Sequence, residues 1–484
     1  MTPLVVGFDL DMTLIDSRPG FASVVAALSE ETGVPLDGTT LSANLGAPLD
    51  QMLAPYFPDE RLPGLIDRFR ALYPERAIAS AELLPGARDA LAAVRRQGGR
   101  SLVVTGKFTP NARLHLDALG IEVDELVGEV WGRAKGAVLA EHAASVYVGD
   151  HVHDVAGARA AGAVSVSVLS GGCSEAELRE AGTDVVLSSL AEFPAWLDEH
   201  LLDPRLVALE EELRRRGSVL VAFSGGADSA FLLAAAVRAL GASRVAAATA
   251  YSASLPASER DPAREYAERL GVRVFAPRTH EMEREGYRAN AGDRCYFCKA
   301  ELIETLGPLA EREGLAFVAT GTNADDAVAG FRPGIRAAAE RGAITPLRDA
   351  GLTKTQIRAA SRRWGLSTWD KPAAACLSSR IAYGIEVSPH RLARVERAEG
   401  GVRATLSAAG VGVRDLRVRD LGDRASIELD APALAAANAD PALERSLLDG
   451  VRSAGFPRAE VDPRGFRSGS LNALLPVDPA RTQR

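Results

Sequence analysis

Short apolar runs that end on a polar residue recur along this chain. Leu4-Val5-Val6-Gly7-Phe8 runs into Asp9, Ser101-Leu102-Val103-Val104 into Thr105, and Ser145-Val146-Tyr147-Val148-Gly149 into Asp150. Each has the length of a buried strand. Ser218-Val219-Leu220-Val221-Ala222-Phe223 repeats the pattern in the second half and ends at Ser224. An alanine- and leucine-rich stretch then predicts a helix from Ser229 to Leu240. Further strands are predicted at 245–250 and 315–320, each after a helix, which makes a doubly wound parallel sheet the expected fold. Residues 17–82 read instead as helices broken by Pro35, Pro48, Pro58 and Pro74, with helical spacing over Phe21–Leu28. The stretch Leu190–Leu202 predicts a short packed helix. Asp203-Pro204 predicts the start of a new one, running through Leu206, Leu209 and Leu213 to Gly217. The boundary between two halves is placed near residue 202.

The bulk numbers permit this arrangement and exclude others. With 484 residues, 47% hydrophobic and 25% charged, the chain is long enough for two or three well-buried domains. A net charge of −8 argues against a general nucleic-acid binder. Four cysteines are too few for a secreted disulfide scaffold. No run of about 18 apolar residues is present, and the first residues lack the pattern of a signal peptide, so a cytoplasmic protein without a membrane anchor is expected.

Candidate chemistry in the first half lies at the strand ends. Asp9 and Asp11 alternate along extended backbone, so both can face a ligand at the carboxyl end of the strand, where open α/β sheets bind. Thr105, Lys135, Asp150 and Asp154 follow in order. One Asp-x-Asp-x-Thr is ordinary turn chemistry; four features in this order are not. The series resembles the haloacid dehalogenase-like (HAD) phosphatases over residues 1–202. The resemblance implies a Rossmann-like α/β domain with a small helical cap over about 17–82. It implies Asp9 as the nucleophile and Asp11 as the acid and base. Thr105 and Lys135 would hold phosphoryl oxygens. Asp150 and Asp154 would join Asp9 and Asp11 on Mg2+, which prefers hard oxygen ligands. Met12 stands where the family usually has glycine.

The second half carries Ser224-Gly225-Gly226-Ala227-Asp228-Ser229 between a strand and a helix. Glycines admit phosphate to the backbone, and amides at a helix amino terminus bind anions. The loop lacks the Lys of a Walker A sequence. It resembles the pyrophosphate (PP) loop of enzymes that split ATP to AMP and pyrophosphate. Gly321-Thr322-Asn323-Ala324-Asp325-Asp326 adds polar groups after another strand. Cys295-Tyr296-Phe297-Cys298 and the separate Cys376 offer three thiols. From the residues alone they are open to a 4Fe–4S cluster with one free iron site, to zinc with a borrowed fourth ligand, or to a redox pair. Cys173, in the first half, is expected to be structural.

The wider pattern over 205–475 resembles the LarE family of ATP-dependent sulfur transferases, which make the nickel-pincer nucleotide. Its motifs include Gly351-Leu352-Thr353-Lys354, Trp369-Asp370-Lys371-Pro372-Ala373, Ala375-Cys376-Leu377-Ser378-Ser379-Arg380 and Gly465-Phe466-Arg467-Ser468-Gly469-Ser470. The resemblance implies a PP-loop domain over 203–385 and a small α+β subdomain over 386–484 for substrate and oligomer contacts. It implies ATP on Ser224, Gly225, Gly226, Asp228, Ser229, Asn323, Asp325 and Asp326, with Mg2+. It implies that a carboxylate of pyridinium-3,5-biscarboxylic acid mononucleotide is adenylylated and becomes a thiocarboxylate. Family members with one cysteine sacrifice the equivalent of Cys376. Those with three, as here, imply a 4Fe–4S cluster on Cys295, Cys298 and Cys376. Arg380, Arg417 and Arg419 are candidate substrate grips. Expected partners are a small nucleotide substrate, further copies of the chain and other enzymes of the nickel-pincer pathway, with no nucleic acid and no membrane. The competing expectations are a sulfur transferase acting on tRNA or another carbonyl, and a first half that only docks.

Overall fold

A computed structural model describes residues 3–42, 45, 47–328, 332–372, 375–467 and 469–471. Ala373 and Ser468, quoted in two of the motifs above, lie outside the described residues. The chain divides into two compact units, Met1–Leu201 and Leu202–Arg484.

The first unit is built on six parallel strands. They are β1 (Val5–Phe8), β2 (Arg100–Val104), β3 (Glu125–Val127), β4 (Val146–Gly149), β5 (Val164–Val168) and β6 (Val185–Leu187). Their order across the sheet is β3-β2-β1-β4-β5-β6. Successive residues of β1 serve different cores. Val6 and Phe8 pack with Val103, Val146 and Val148, whereas Val5 packs with Leu102, Val104 and Tyr147. Both faces are covered, so the strand sequences are continuously apolar rather than alternating. The helical insertion has its own core. Helices α1 (Arg18–Thr32) and α2 (Leu62–Arg76) meet through Phe21, Val24, Leu28, Phe69 and Tyr73.

Two proline expectations need correction. Pro74 does not break α2 but sits inside it, in the last turn, where Leu72 and Tyr73 are buried in the insertion core. Asp203-Pro204 does not open a new helix: a single 24-residue helix runs Phe193–Arg216 with Pro204 inside. An interior proline costs about 3 kcal/mol. Leu197, Leu202, Leu206, Leu209 and Leu213 are buried along this helix, and each contributes roughly 1.5–3 kcal/mol, which outweighs that cost. Two other helices matter to the first unit's chemistry, α3 (Lys135–Glu141) and α4 (Val152–Ala161). The long helix is α5.

The second unit repeats the logic on four parallel strands, β7 (Val219–Ala222), β8 (Val245–Ala248), β9 (Arg273–Phe275) and β10 (Phe317–Thr320). Their order is β9-β8-β7-β10. Val219 and Val221 face a core shared with helix α6 (Ala227–Leu240). Leu220 and Ala222 face another, shared with Ile303, Leu306 and Leu309 of helix α7 (Arg294–Arg312). Helices on both faces make this sheet doubly wound. A three-stranded sheet follows: β11 (Leu416–Asp420), β12 (Ala425–Leu429) and β13 (Ala459–Val461). It packs against helix α8 (Pro389–Ala408) to form the α+β part.

Candidate active sites

The central strands of the first sheet deliver three polar residues side by side. Phe8 of β1 pairs with Val103 of β2 and Val148 of β4, so Asp9, Thr105 and Asp150 emerge together at the carboxyl edge. Asp154 joins them from α4, where it closes a capping box by accepting the His151 amide at 3.1 Å. Asp9, Asp150 and Asp154 are the group, among the described residues, whose ligand atoms all lie within 4.8 Å of one another. All three carboxylates are buried. Burial pushes Asp9 up to about 7, and the neighbouring Asp154 and Asp11 add to it against the pull of Lys135. Asp150 is raised well above the usual carboxylate range by burial and then by Asp154 and Asp9.

Lys135 relieves part of this crowding. Its Nζ donates to Asp9 Oδ1 and Asp154 Oδ1, both at 2.7 Å, and lies 2.9 Å from Tyr147 Oη. Burial opposes its charge, but Asp154 and Asp9 outweigh burial and hold it protonated. Tyr147 is anchored by donating to the Val104 carbonyl at 2.8 Å. Thr13 Oγ1 donates to Asp150 Oδ1 at 2.9 Å. Two glycines make the packing possible. A Cβ on Gly149 would lie 2.4 Å from Asp154 Cβ, and one on Gly171 would lie 1.8 Å from Asp150 Oδ2. Three hard oxygen donors converging beside one lysine fit a divalent cation such as Mg2+.

Asp11 belongs to a different neighbourhood. Its Oδ1 accepts from Ser17 Oγ and pairs with Lys107 Nζ at 2.9 Å. Lys107 reaches 2.6 Å to Tyr73 Oη on α2, and Tyr73 Oη lies 3.1 Å from His115 Nε2. Burial and then Lys107 push His115 down to about 4, so it is neutral. Asp11 thus lines a cavity of about 330 Å3 between the insertion and the sheet edge, together with Phe21, Phe69, Tyr73 and Lys107. Met12 adopts φ +60°, a conformation that favours glycine, and is fixed by its amide to Ile15 O at 2.8 Å. Thr105 Oγ1 accepts from the Lys107 amide at 3.2 Å. Sequence reasoning missed Ser17, Tyr73, Lys107 and Tyr147.

In the second unit, the loop after β7 folds around its own serines. Ser229 Oγ lies 3.2 Å from Ser224 Oγ and donates to Gly226 O at 3.1 Å. Gly225 takes φ +71°, and Lys371 Nζ holds its carbonyl at 3.0 Å. A cavity of about 340 Å3 is lined by this loop with Thr249, Lys299, Gly321, Thr322 and Asp326. A Cβ on Gly321 would lie 2.9 Å from the Ser229 amide, so close approach requires glycine there. Asp228 is raised by burial, and its Oδ1 is buried without a hydrogen-bond partner. Asn323 and Asp326 exchange bonds, amide to side chain, at 3.2 and 3.1 Å. Asp325 turns to the Lys354 amide at 2.7 Å, at the start of helix Lys354–Arg363.

The three thiols share one neighbourhood. Cys295 and Cys298 lie on the first turns of α7. The Cys376 loop is tied to them through Arg294, which donates to Asn290 Oδ1 at 2.5 Å and to Ser378 O at 2.7 Å. Asn290 Nδ2 donates in turn to Ala382 O and Ile385 O at 2.8 and 2.9 Å. Burial disfavours the Arg294 charge, but Cys376 and Cys295 reverse that. Burial, and then Cys376, push Cys298 up to about 12. Lys299 is lowered by burial, with Cys298 and Cys295 acting against it. The thiols are not among the groups gathered to single-ion spacing. Three sulfur donors flanked by Arg294 and Lys299 suit an anionic multi-iron group.

The predicted arginines divide by role. Arg380 clasps the Cys376 loop: it donates to Ala375 O and to Cys376 O, the latter at 2.9 Å, and pairs with Glu399 at 2.9 Å. Arg419 pairs with Glu428 at 2.7 Å and donates to Ser379 O at 3.1 Å. Arg417 is pushed down to about 10 by burial and by Arg380. With Lys371, Arg380, Arg403 and Arg414 it lines a cavity of about 470 Å3 that also holds Glu259, Glu396 and Glu399.

The comparisons with known proteins follow this division. Residues 6–159 match the haloacid dehalogenase-like hydrolase family model, and 127–193 a HAD-hydrolase-like model. A phosphoglycolate phosphatase of Rhodospirillum rubrum is 30% identical over 40% of this chain and 91% of its own length. An uncharacterised protein of Synechocystis is 38% identical over 57% of this chain and 99% of its own. The pyridinium-3,5-bisthiocarboxylic acid mononucleotide synthase of Lactiplantibacillus plantarum is 34% identical over 271 residues, 56% of this chain and 93% of its own. A match of that length exceeds the whole first unit and must extend into the second. The chain therefore belongs to the haloacid dehalogenase-like hydrolases through its first unit, and over that longer stretch to the family of the bisthiocarboxylic acid mononucleotide synthase.

Proposed function

We propose that the chain is a bifunctional enzyme: a Mg2+-dependent phosphatase joined to an ATP-dependent sulfur transferase acting on pyridinium-3,5-biscarboxylic acid mononucleotide. The observation that carries the reading is that each parallel sheet gathers polar groups at its carboxyl edge, Asp9, Thr105 and Asp150 on the first and the Ser224–Ser229 loop with Gly321–Asp326 on the second.

In the first reaction, Asp9 attacks phosphorus, and the bond to the leaving oxygen breaks as Asp11 supplies a proton to it. Asp11 then takes a proton from water, which hydrolyses the aspartyl-phosphate and restores Asp9. Lys135 offsets the charge of Asp9 and Asp154 while the phosphoryl group arrives. Lys107 and Ser17 fix the carboxylate that moves the proton. Asp9, Asp150 and Asp154 would hold Mg2+, which neutralises charge developing on phosphoryl oxygens.

In the second, the amides of Ser224–Ser229 cradle ATP phosphates, with Asp228 and Asp326 beside them. The substrate carboxylate attacks the α-phosphorus and pyrophosphate leaves, giving an acyl adenylate whose AMP is a good leaving group. Arg417, with Arg403 and Arg414, receives an anionic nucleotide in the 470 Å3 cavity. Cys295, Cys298 and Cys376 would hold a 4Fe–4S cluster, which when bound would supply a sulfide nucleophile, the thiocarboxylate forming as AMP leaves. Arg294 and Arg380 hold the Cys376 loop in register with α7. Asp9→Asn and Asp150→Ala should each abolish Mg2+-dependent phosphate release and leave thiocarboxylate formation intact. Unchanged phosphatase rates would remove the first half of the proposal.

A further inference from the structure

We infer that the phosphatase site takes a mononucleotide-type ester, a flat aromatic ring linked to its phosphate through a sugar-sized spacer; this rests on the phosphatase reading above. Asp11 fixes where the ring must go. A group that protonates the leaving oxygen faces the leaving group, so the cavity that Asp11 lines is where the alcohol part of the substrate lies. Asp9, the nucleophile, is not among the residues lining that cavity, and Asp11 is.

The wall chemistry then describes the leaving group. Phe21, Phe69 and Tyr73 come from the insertion, and Phe108 and Trp131 from loops at the sheet edge. Phe21 and Phe69 lie 5.3 Å apart and tilted, and Phe69 and Tyr73 5.7 Å apart, as one buried cluster, while Phe108 and Trp131 are the more accessible rings of the lining. The cavity is also large. At about 330 Å3 it is roughly twice the size of a ~150 Å3 cavity that holds benzene, and it falls at the lower end of small-ligand pockets. A two-carbon hydroxy acid would leave most of it empty.

Polar side chains stand among the rings: Asp11, Asp50, Arg70, Lys107, Asn111 and Glu129 all line the cavity. Arg70 lies 4.2 Å over the Phe108 ring and pairs with Glu129 at 3.1 Å, giving a donor and an acceptor beside the stacking surface. Lys107 is already engaged by Asp11 and Tyr73 next to the phosphate end. Aromatic walls interleaved with donors and acceptors suit a ring that carries polar substituents.

The test uses the full-length chain with Mg2+ and measures phosphate release from AMP, nicotinamide mononucleotide, 2-phosphoglycolate and acetyl phosphate. The Asp9→Asn chain is the blank. The ring-bearing esters should exceed 2-phosphoglycolate at least tenfold in kcat/KM. Stacking on one aromatic side chain is worth enough that Trp131→Ala or Phe108→Ala should lower the AMP-to-phosphoglycolate ratio of kcat/KM by about tenfold. Phe108→Leu, which keeps apolar bulk but removes the ring, should lower that ratio in the same direction should the alanine variants unfold. A preference for 2-phosphoglycolate, or a ratio unmoved in all three variants, overturns this inference and leaves the phosphatase standing. No Mg2+-dependent release from any of the four compounds overturns the phosphatase reading itself.

Discussion

Replacing Asp9 with asparagine should make the metal-free protein more stable, even though it removes the proposed nucleophile. Asp9 is held at about 7 in the folded chain against an ordinary 3.8, with burial as the first cause and Asp154 and Asp11 after Lys135. A raised folded value means that the native state binds the proton more tightly than the unfolded one. The stability this contributes is full below about pH 4 and is lost as pH rises through 7. At 1.36 kcal/mol per tenfold change, the charged carboxylate costs on the order of 4 kcal/mol above pH 7. For a unit of 150–250 residues that corresponds to roughly 8–16 °C in Tm. Calorimetry in a chelator should therefore show Asp9→Asn melting higher than wild type at pH 8 and level with it near pH 4. The transition to follow is the one that Mg2+ shifts in wild type. Mg2+ should then narrow the gap, because at a hundredfold excess over Kd it adds about 2.7 kcal/mol to a protein that binds it, some two thirds of that cost. A variant no more stable than wild type at pH 8 in chelator would refute the reasoning that the carboxylate cluster is held at a cost for the sake of a cation.

Other substitutions probe single atoms of the two sites. Gly171→Ala puts a Cβ 1.8 Å from Asp150 Oδ2, so it should weaken the stabilisation by Mg2+ and cut phosphatase activity at least a hundredfold; isothermal titration with Mg2+ reads the first effect directly. Protein purified without oxygen should be brown with about four irons per chain, and Cys295→Ala, Cys298→Ala and Cys376→Ala should each lose iron and thiocarboxylate formation together. Iron-free protein that turns over while Cys376 loses the elements of hydrogen sulfide would instead make Cys376 the sulfur donor.

The sequence made the skeleton of both sites legible because strand ends are local. An apolar run followed by Asp9, Thr105 or Asp150 states its own position at the edge of a sheet, and the parallel register brings the three together. The thiols were legible as residues, but the device that joins them was not. Asn290 and Arg294 link chain segments some ninety residues apart, and no local pattern marks that. Tyr73 and Lys107 escaped for the same reason, since their meeting depends on where the insertion folds back. A compositional signal did exist. The chain has only five lysines, 107, 135, 299, 354 and 371, in a set of 56 basic residues. Each lies at or beside one of the two sites: Lys107 by Asp11, Lys135 by Asp9, Lys299 and Lys371 at the phosphate loop, and Lys354 next to Asp325. Arginines are buried too, Arg294, Arg380 and Arg417 among them, so the signal lies in the scarcity of lysine, a compact point charge where arginine is a planar fork. Helix α5 was misread for the opposite reason. Pro204 is a strong local stop signal, and the leucines that override it act only once packed.

The most direct test of the central claim is phosphorus NMR of ATP incubated with the Asp9→Asn chain, Mg2+, and pyridinium-3,5-biscarboxylic acid mononucleotide. The silenced phosphatase keeps the products intact. AMP and pyrophosphate should appear in equal amounts, formed only when the mononucleotide is present. ADP and orthophosphate as the primary products, or ATP left unchanged, would contradict the claim.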